Sequence, residues 1–365
     1  MSDFFKADNK TRVISVILVF FFCIAILAVF KLTAPVVLPI AIAILLAFVL
    51  HPLVLGLEKL HIPRIISIVL VIILAVAGLF VLGIVSFSSI RAILSRYPRY
   101  ESRLTEIYLW AARFFELSYD QDMSFIENLW NQMGVREKIW GMTYSLSNAS
   151  IDFLRNAIVV LFFVIFLLVE ASHFNEKLEL AFKQRLGRFK QMGTDIMHQI
   201  GRYMAAKFLM SLINGVVFAA ALSLMKVEFA LVWAVVQFLL NFIPTLGSIA
   251  SGFMISLFAL LQFWPEPGPV IMVVVFVIAA NIILGFILDP KIVGDNVGIS
   301  PLVVLVSLVL WGWLWGFAGM VIAVPMMVII RIICENFTFL EPVSILLGSR
   351  KSVLAKKALS PDDSQ

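Results

Sequence analysis

Long stretches without a charged residue recur along this 365-residue chain. Val13–Phe30 has 18 such residues and Ile65–Ile90 has 26. The hydrocarbon core of a bilayer, about 30 Å thick, needs roughly 20 apolar residues for one helical crossing. The composition agrees, because 62% of the residues are hydrophobic and 14% are charged, whereas about a quarter of a soluble domain is charged. The chain is therefore predicted to be an all-α integral membrane protein.

The order of apolar and polar stretches predicts about eight membrane segments and divides the chain into five regions. The first region has three transmembrane helices, and the second is an extramembrane helical module. The third has a fourth transmembrane helix followed by an amphipathic basic segment. A membrane-embedded core with broken helices and a C-terminal tail complete the chain. The predicted boundaries are 1–90, 91–150, 151–207, 208–335 and 336–365.

The Lys and Arg residues between the apolar stretches predict the orientation. Short loops rich in Lys and Arg stay in the cytoplasm, and the basic segment 171–203 is such a loop. Counting crossings from a cytoplasmic N-terminus places 91–150 outside and returns the C-terminus to the cytoplasm. The net charge of +5 is spread over these loops, so we predict no nucleic-acid partner.

Two uncharged runs in the C-terminal half are too long for one membrane crossing and rather short for two. Between Glu228 and Glu266 lie 37 residues, and between Asp295 and Arg331 lie 35, whereas two full crossings with a turn need more than about 40. Two re-entrant hairpins of opposite orientation fit this length, and closely spaced full crossings remain the alternative. Oppositely oriented repeats with helices broken at mid-membrane form the solute site of many secondary transporters.

The first run is interrupted around Asn241, Pro244 and Gly247. Pro removes a backbone donor and Gly relaxes the chain, so a helix must break there. The break forms either the solute-lining tip of a hairpin or a plain turn at the membrane surface. The amides Gln237 and Asn281 lie within apolar sequence, where such groups join helices or bind solute.

The second run is interrupted by glycines that alternate with tryptophans. The indoles could form an interfacial aromatic belt while the glycines allow close helix packing. Alternatively, the indoles could stack on a small polar ligand at a hairpin tip. The candidate residues are Trp311, Gly312, Trp313, Gly316 and Gly319.

A third set of candidates closes two of the crossings and could act as a gate or a coupling site. A carboxylate that faces a cavity in a membrane protein can carry a proton or a cation, and otherwise these residues are solvated helix ends. The set consists of Glu170, Asp289, Pro290, Lys291, Gly294 and Pro301. The chain shows no Gly-rich phosphate loop and no metal-ligand spacing, so we predict no enzyme, no cofactor and no metal site.

Several of these motifs resemble one family. Asn-Phe-Ile-Pro-Thr-Leu-Gly at 241–247, Leu-Asp-Pro-Lys-Ile-Val-Gly at 288–294 and Gly-Ile-Ser-Pro-Leu-Val-Val at 298–304 are similar to motifs of the autoinducer-2 exporter family of bacterial membrane proteins. Leu-Trp-Gly-Trp-Leu-Trp-Gly at 310–316 and Ala-Val-Pro at 323–325 extend the resemblance. It implies a multi-pass homo-oligomer of the bacterial cell inner membrane. It also implies export of autoinducer-2 in some members and sodium/proton antiport in others.

These observations lead to one hypothesis and two alternatives. The chain is predicted to be a secondary transporter that exports a small polar metabolite, with autoinducer-2 as the preferred solute. The solute path would have Asn241, Pro244 and Gly247 on one side and 311–319 on the other, with the loop Asp289–Pro301 as gate. The first alternative is a sodium/proton antiporter, which needs a titrating carboxylate. The second is a non-transporting scaffold that holds a partner through module 91–150.

Overall fold

A computed structural model describes residues 9–114, 155–170, 187–292, 298–337 and 339–349. Within these ranges the chain is helical and contains no β-strand, apart from one isolated bridge between Ile299 and Gly348. This confirms the predicted all-α class. Most of the predicted module 91–150, Gly294 and the tail beyond 349 lie outside the described residues.

The described residues form ten helices, numbered here in chain order. The first four are α1 (Asn9–Leu32), α2 (Ala34–Glu58), α3 (Arg64–Phe114) and α4 (155–170). Next come α5 (Gly187–Leu224), α6 (Ala230–Leu240) and α7 (Leu246–Phe263). Helix α8 is an α-helix over Pro267–Ala280, a π-helix over Asn281–Leu288 and an α-helix again over Asp289–Ile292. The last two are α9 (Pro301–Asn336) and α10 (Glu341–Leu347).

Six stretches of the described helices are long and apolar enough to cross a membrane. Large apolar side chains along them are exposed, for example Ile65, Phe80 and Phe253. In a chain with this many apolar helices, such a surface contacts the lipid bilayer. The chain is therefore a multi-pass membrane protein, while the number of its membrane segments stays a prediction. The six stretches are Ala34–Glu58, Arg64–Val81, Gln191–Leu224, Leu246–Phe263, Pro267–Ile292 and Pro301–Asn336.

Helix α3 is longer than its apolar sequence. The uncharged run ends at Ile90, but the helix continues without interruption to Phe114. Its 51 residues correspond to a length of about 75 Å, more than twice the thickness of a bilayer core. A change from apolar to charged residues does not end a helix, since charged side chains are good helix formers. The helix therefore runs through the predicted boundary at residue 90.

The helices fall into two compact units. The first comprises Met1–Val71, Val160–Phe208 and Pro290–Gln365, and it includes α1, α2, α9 and α10. The second comprises Ile72–Val159 and Leu209–Asp289, and it includes α6, α7 and most of α8. The core of the second unit is apolar, with Phe218, Leu222, Ile255, Val273 and Val277 fully or almost fully buried.

The first long uncharged run folds as a helical hairpin, named hairpin A here (α6 and α7). Helix α6 has 11 residues, about 16 Å, which is half of a bilayer core. The chain then turns through residues 241–245 and returns as α7. At the open end of the hairpin, the Glu228 backbone N–H donates to Gln262 Oε1 at 2.7 Å. The two ends of hairpin A are therefore adjacent.

The second long run also reverses on itself, and it is named hairpin B here (α9). Its helical geometry breaks at Trp315 and Gly316, where Gly316 has φ of +63°. Ser307 Oγ donates to the Ala323 carbonyl at 3.0 Å, although a straight helix would place residues that far apart in sequence about 24 Å apart. Both runs thus form hairpins by length and contact, while their depth in the bilayer and their opposite orientation stay predictions.

Candidate solute site

Four helices of the second unit bring uncharged polar side chains together. Helix α5 contributes a serine and an asparagine, and α6 with its C-terminal cap contributes two amides. Helix α7 contributes two serines, and α8 contributes the asparagine at the start of its π-helix. This set is named the amide network and consists of Ser211, Asn214, Gln237, Asn241, Ser248, Ser251 and Asn281.

Gln237 lies at the centre of the network and has no solvent-exposed surface. Ser251 Oγ donates a short hydrogen bond to Gln237 Oε1, and Gln237 Nε2 donates to Asn214 Oδ1 at 3.5 Å. Asn214 in turn donates to the Met210 carbonyl at 2.9 Å. A buried amide without partners is costly, so these contacts hold α6 between α5 and α7.

Asn241 ties the tip of hairpin A to α5. It caps the C-terminus of α6, and its Nδ2 donates to Ser211 Oγ at 3.0 Å. Ser248 Oγ, on the returning limb, donates to Asn241 Oδ1 at 3.5 Å. One side chain thus joins α5 to both limbs of the hairpin at the point where helical hydrogen bonding stops.

The side-chain oxygen of Asn281 is an acceptor without a hydrogen-bond donor in the described part of the chain. Its Nδ2 donates to the Ser248 carbonyl at 3.2 Å, but its Oδ1 is buried and has no hydrogen-bond partner among the described residues. Buried polar atoms are almost always paired, so an unpaired one requires an explanation. Asn281 also begins the π-helix, a geometry found often at functional sites. The network therefore offers a free acceptor to a hydrogen-bond donor.

Pro244 and Gly247 make the tip of hairpin A possible. Thr245 has φ of +61° directly after Pro244, and the Gly247 N–H donates to the Ile243 carbonyl at 3.2 Å. A Cβ on Gly247 would overlap the Leu240 carbonyl oxygen of the opposite limb. Only glycine permits this approach. The predicted break is therefore a tight turn between packed limbs.

The tip of hairpin B, in the first unit, is aromatic. Trp311 and Trp315 are buried against Phe30, with ring centroids 6.0 and 5.9 Å from the Phe30 ring. Trp315 Nε1 donates to the Phe30 carbonyl at 2.9 Å, whereas the buried Trp311 Nε1 has no partner among the described residues. Trp313 is 62% exposed, with Lys31 Nζ 4.0 Å from its ring centroid. The three indoles thus do not share one face.

The glycines of hairpin B serve its packing and its break. A Cβ on Gly319 would overlap the Trp311 carbonyl oxygen, and one on Gly312 would lie 2.9 Å from Met320 Cγ. Gly316 holds the positive φ of the break itself. Hairpin B belongs to the first unit and the amide network to the second, so a shared path stays a prediction.

The predicted gate residues lie at helix ends. Glu170 is exposed at the last described residue of α4, and Asp289 is half-buried where the π-helix of α8 ends. Pro290 and Lys291 are exposed, and Pro301 begins α9. The hydrogen bonds described above for the amide network join other residues. Their role as a gate stays a prediction.

Three serines of the network did not emerge from the sequence as candidates: Ser211, Ser248 and Ser251. A signal was present, because Ser211 and Asn214 are three residues apart in the apolar part of α5, and Ser248 and Ser251 are three residues apart in α7. Residues three apart lie on one face of a helix. A polar pair at this spacing in uncharged apolar sequence therefore indicates a helix face that meets another polar group.

Comparison with known proteins identifies the family. The family model described as AI-2E family transporter matches residues 17–339. Two relatives carry the name "Putative transport protein". One is from Borreliella burgdorferi, 31% identical over 94% of each chain. The other is YhhT of Escherichia coli, 32% identical over 58% of this chain and 60% of the relative. The "AI-2 transport protein TqsA" of Escherichia coli is 32% identical over 56% of this chain and 57% of its own length.

These names describe transporters and not enzymes, in agreement with the membrane-spanning helices and the broken hairpins. Because the match extends over nearly the whole sequence, this chain belongs to the AI-2E family of membrane transporters.

Proposed function

We propose that the chain is a secondary transporter that exports a small, polar, uncharged metabolite, with autoinducer-2 as the preferred solute, and that the solute binds at the amide network. The observation that carries this proposal is the buried, unpaired Asn281 Oδ1. Asn281 itself donates to the Ser248 carbonyl, which lies next to the helix break in the run of 37 residues without a charge. A hydroxyl group of a solute would supply the missing donor.

The chemistry of the network suits a neutral solute. All seven of its side chains are amides or hydroxyls, which both donate and accept. The network side chains offer no charge to compensate the hydration that a charged solute would lose, and that loss is expensive. The similarity to a relative named as an AI-2 transport protein supports autoinducer-2 as the first solute to test.

The hydrogen bonds of the network can be exchanged at low cost. Ser251 Oγ has one proton but three acceptors within reach: Gln237 Oε1, the Gly247 carbonyl at 2.9 Å and the Ser248 carbonyl at 3.1 Å. When it turns to its own helix, its bond across the hairpin is released and Gln237 Oε1 becomes available to a solute. Two other bonds between helices, Gln237–Asn214 and Ser248–Asn241, are 3.5 Å long and correspondingly weak.

The position of the network along α5 supports a site near mid-membrane. Asn214 lies ten residues before the end of α5 at Leu224, a distance of about 15 Å. Half of a bilayer core is also about 15 Å. If α5 ends at the membrane surface, Asn214 and its partner Gln237 lie near the midplane, where transporters place their solute sites.

We further propose the bacterial inner membrane as the location, with both termini cytoplasmic and a homo-oligomer as the working state. The basic segment 171–203 supports this orientation. Reporter fusions at residue 365 test it, since a cytoplasmic fluorescent protein should be active there and a periplasmic phosphatase inactive. The reverse result would exclude the orientation.

Flux measurements in reconstituted vesicles test the function. We expect vesicles with the purified chain to release labelled autoinducer-2 faster than empty vesicles. Asn281→Ala should slow release about tenfold, because it removes the acceptor meant for the solute. Ser256→Ala is the matched control, since Ser256 Oγ donates only to the Gly252 carbonyl of its own helix, and we expect a change below about twofold.

Two results would contradict the proposal. One is release of autoinducer-2 at the rate of empty vesicles. The other is a sodium-dependent pH change in the same vesicles that is abolished by Asp289→Asn or Glu170→Gln, which would establish the antiport alternative. Transport that stays intact after deletion of residues 115–150 would separate the transport hypotheses from the non-transporting scaffold, because it would show transport that does not depend on that segment.

A further inference from the structure

The loop at the open end of hairpin A has an unusual backbone. Lys226 and Phe229, on the two sides of Glu228, have φ of 57° and 58°. Residues with a side chain rarely adopt this left-handed conformation, and each case costs free energy that surrounding contacts must offset. The loop 226–229 is therefore held in place by its neighbours.

One neighbour is Gln262, near the end of α7. The Glu228 N–H donates to Gln262 Oε1 at 2.7 Å, and Gln262 Nε2 donates to the Lys226 carbonyl at 2.8 Å. Both polar ends of the Gln262 side chain are thus used to hold the loop. This pair of bonds closes hairpin A at its base.

The second neighbour is the part of α3 beyond its apolar run. Arg96 Nη1 lies 2.7 Å from Glu228 Oε2, and Arg99 Nη1 lies 3.3 Å from Oε1. The Tyr100 hydroxyl donates a short hydrogen bond to the same carboxylate. This cluster of Arg96, Arg99, Tyr100 and Glu228 is named the Glu228 latch.

Aromatic contacts extend the latch along α3. The Tyr100 ring lies 5.7 Å from Phe258 of α7, and the Trp110 ring lies 5.4 Å from Trp264, just beyond α7. The Arg96 guanidinium lies 5.7 Å above the Phe229 ring. Helix α3 is therefore in contact with both the loop that begins hairpin A and the limb that ends it.

The charges of the latch favour a reversible contact. Burial would raise the pKa of Glu228, but the hydrogen bonds from Tyr100 and Arg96, with the charges of Arg96 and Arg99, lower it overall. The carboxylate is therefore ionised at neutral pH. The arginine side chains are 48% and 55% exposed, and ion pairs with this exposure are weak and screened by salt. Such contacts can open and close at small cost.

We infer that the Glu228 latch holds hairpin A closed against α3 and that the latch opens in each transport cycle. Four observations carry this inference: a strained loop, its two bonds to Gln262, three polar partners on one carboxylate, and ring contacts to α7. The inference rests on the proposed transport function, since it describes how the helices that carry the amide network are released.

Hydrogen exchange tests the latch without any solute. In the full chain in lipid nanodiscs, Glu228→Gln should raise amide exchange in residues 226–232 about fivefold, because the ion pairs that hold the loop are lost. Reversing the charges, with Glu228→Arg, Arg96→Glu and Arg99→Glu together, should restore slow exchange. Glu106→Gln is the matched control, since Glu106 pairs with Arg103 on α3 at 3.9 Å. Equal exchange in Glu228→Gln and wild type would overturn the latch.

Transport kinetics test the opening step. If the latch opens in each cycle, Glu228→Gln should raise the maximal rate of autoinducer-2 release about fivefold and leave the half-saturating concentration nearly unchanged. The charge-reversed variant should return the rate to that of wild type. An unchanged or lower maximal rate, with faster exchange in the loop, would show a static clamp and overturn the opening step. No release by wild type would instead refute the proposed solute, leaving the exchange result to decide the latch.

Discussion

Hairpins A and B each contain a glycine that packs closely against the opposite limb, but the side chains inside the two hairpins differ. In each, a glycine shortly after the break packs so closely on the opposite limb that a Cβ would overlap a carbonyl oxygen, that of Leu240 in A and of Trp311 in B. Between the limbs of hairpin A lie Gln237 and Ser251, whereas the tip of hairpin B is filled by Trp311 and Trp315.

We propose that this difference reflects two tasks. Hydrogen bonds in hairpin A can be exchanged for bonds to a hydroxylated solute, because each network side chain both donates and accepts. The indoles of hairpin B pack tightly on Phe30, and packed rings resist displacement. The proposed tasks are solute binding for hairpin A and anchoring of a fixed tip for hairpin B.

The largest effect should come from the closely packed glycine that each hairpin contains. Gly247→Ala and Gly319→Ala should each destabilise the folded chain by more than about 3 kcal/mol, because the added methyl group meets backbone that cannot move aside. Gly56→Ala is the control, since nothing lies within 4 Å of a Cβ there. The measurement is thermal unfolding in detergent, followed by loss of monodisperse protein. A stable Gly247→Ala protein would show that hairpin A tolerates a wider tip than hairpin B.

The next largest effect should distinguish the polar side chains of hairpin A from those of hairpin B. Gln237→Leu should cost roughly 1–3 kcal/mol, because Ser251 and Asn214 lose their shared partner, and it should abolish most release of autoinducer-2 per folded molecule. Ser307→Ala removes the bond to Ala323 in hairpin B, which should cost about 1 kcal/mol and leave release unchanged. Flux normalised to folded protein measures both. Equal loss of flux in the two variants would remove the assignment of tasks.

The smallest effect should arise within the aromatic tip. Trp315→Phe removes the hydrogen bond to the Phe30 carbonyl, whereas Trp311→Phe removes an N–H that has no partner in the described part of the chain. Both lose similar volume, so Trp315→Phe should be the less stable by about 1 kcal/mol. Unfolding temperatures compare the pair directly. Equal temperatures would mean that the Trp315 bond adds nothing to the anchoring of hairpin B.

Local chemistry made the breaks predictable, and long-range contacts did not follow from it. Pro244 and Gly247 interrupt a helix by their own backbone properties, and the turn lies at 241–245 as expected. The length of the uncharged runs fitted re-entrant hairpins, with closely spaced full crossings as the alternative. The partnership of Asn241 with Ser211 depends on how α5 packs on α6, which no residue near Asn241 encodes.

In hairpin B, likewise, the region of the break was predictable but the residue that forms it was not. The alternation of Trp and Gly located a break within 311–319, but three glycines there were equally able to form it. Gly316 holds the positive φ, while Gly312 and Gly319 face neighbouring side chains and backbone. The exact residue depends on which glycines the opposite limb approaches, and that is a property of the folded hairpin. The far end of α3 was unpredictable for a related reason, because charged residues continue a helix as well as apolar ones.

The uncharged character of hairpin A has an energetic consequence. A full elementary charge that crosses the membrane potential gains or loses about 2.3 kcal/mol per 100 mV. No residue between Glu228 and Glu266 bears a formal charge, so the electric field does almost no work on this part of the protein when it moves. The return of the empty hairpin should therefore proceed equally fast in energised and de-energised cells, and an electrogenic response would have to come from charges outside this hairpin.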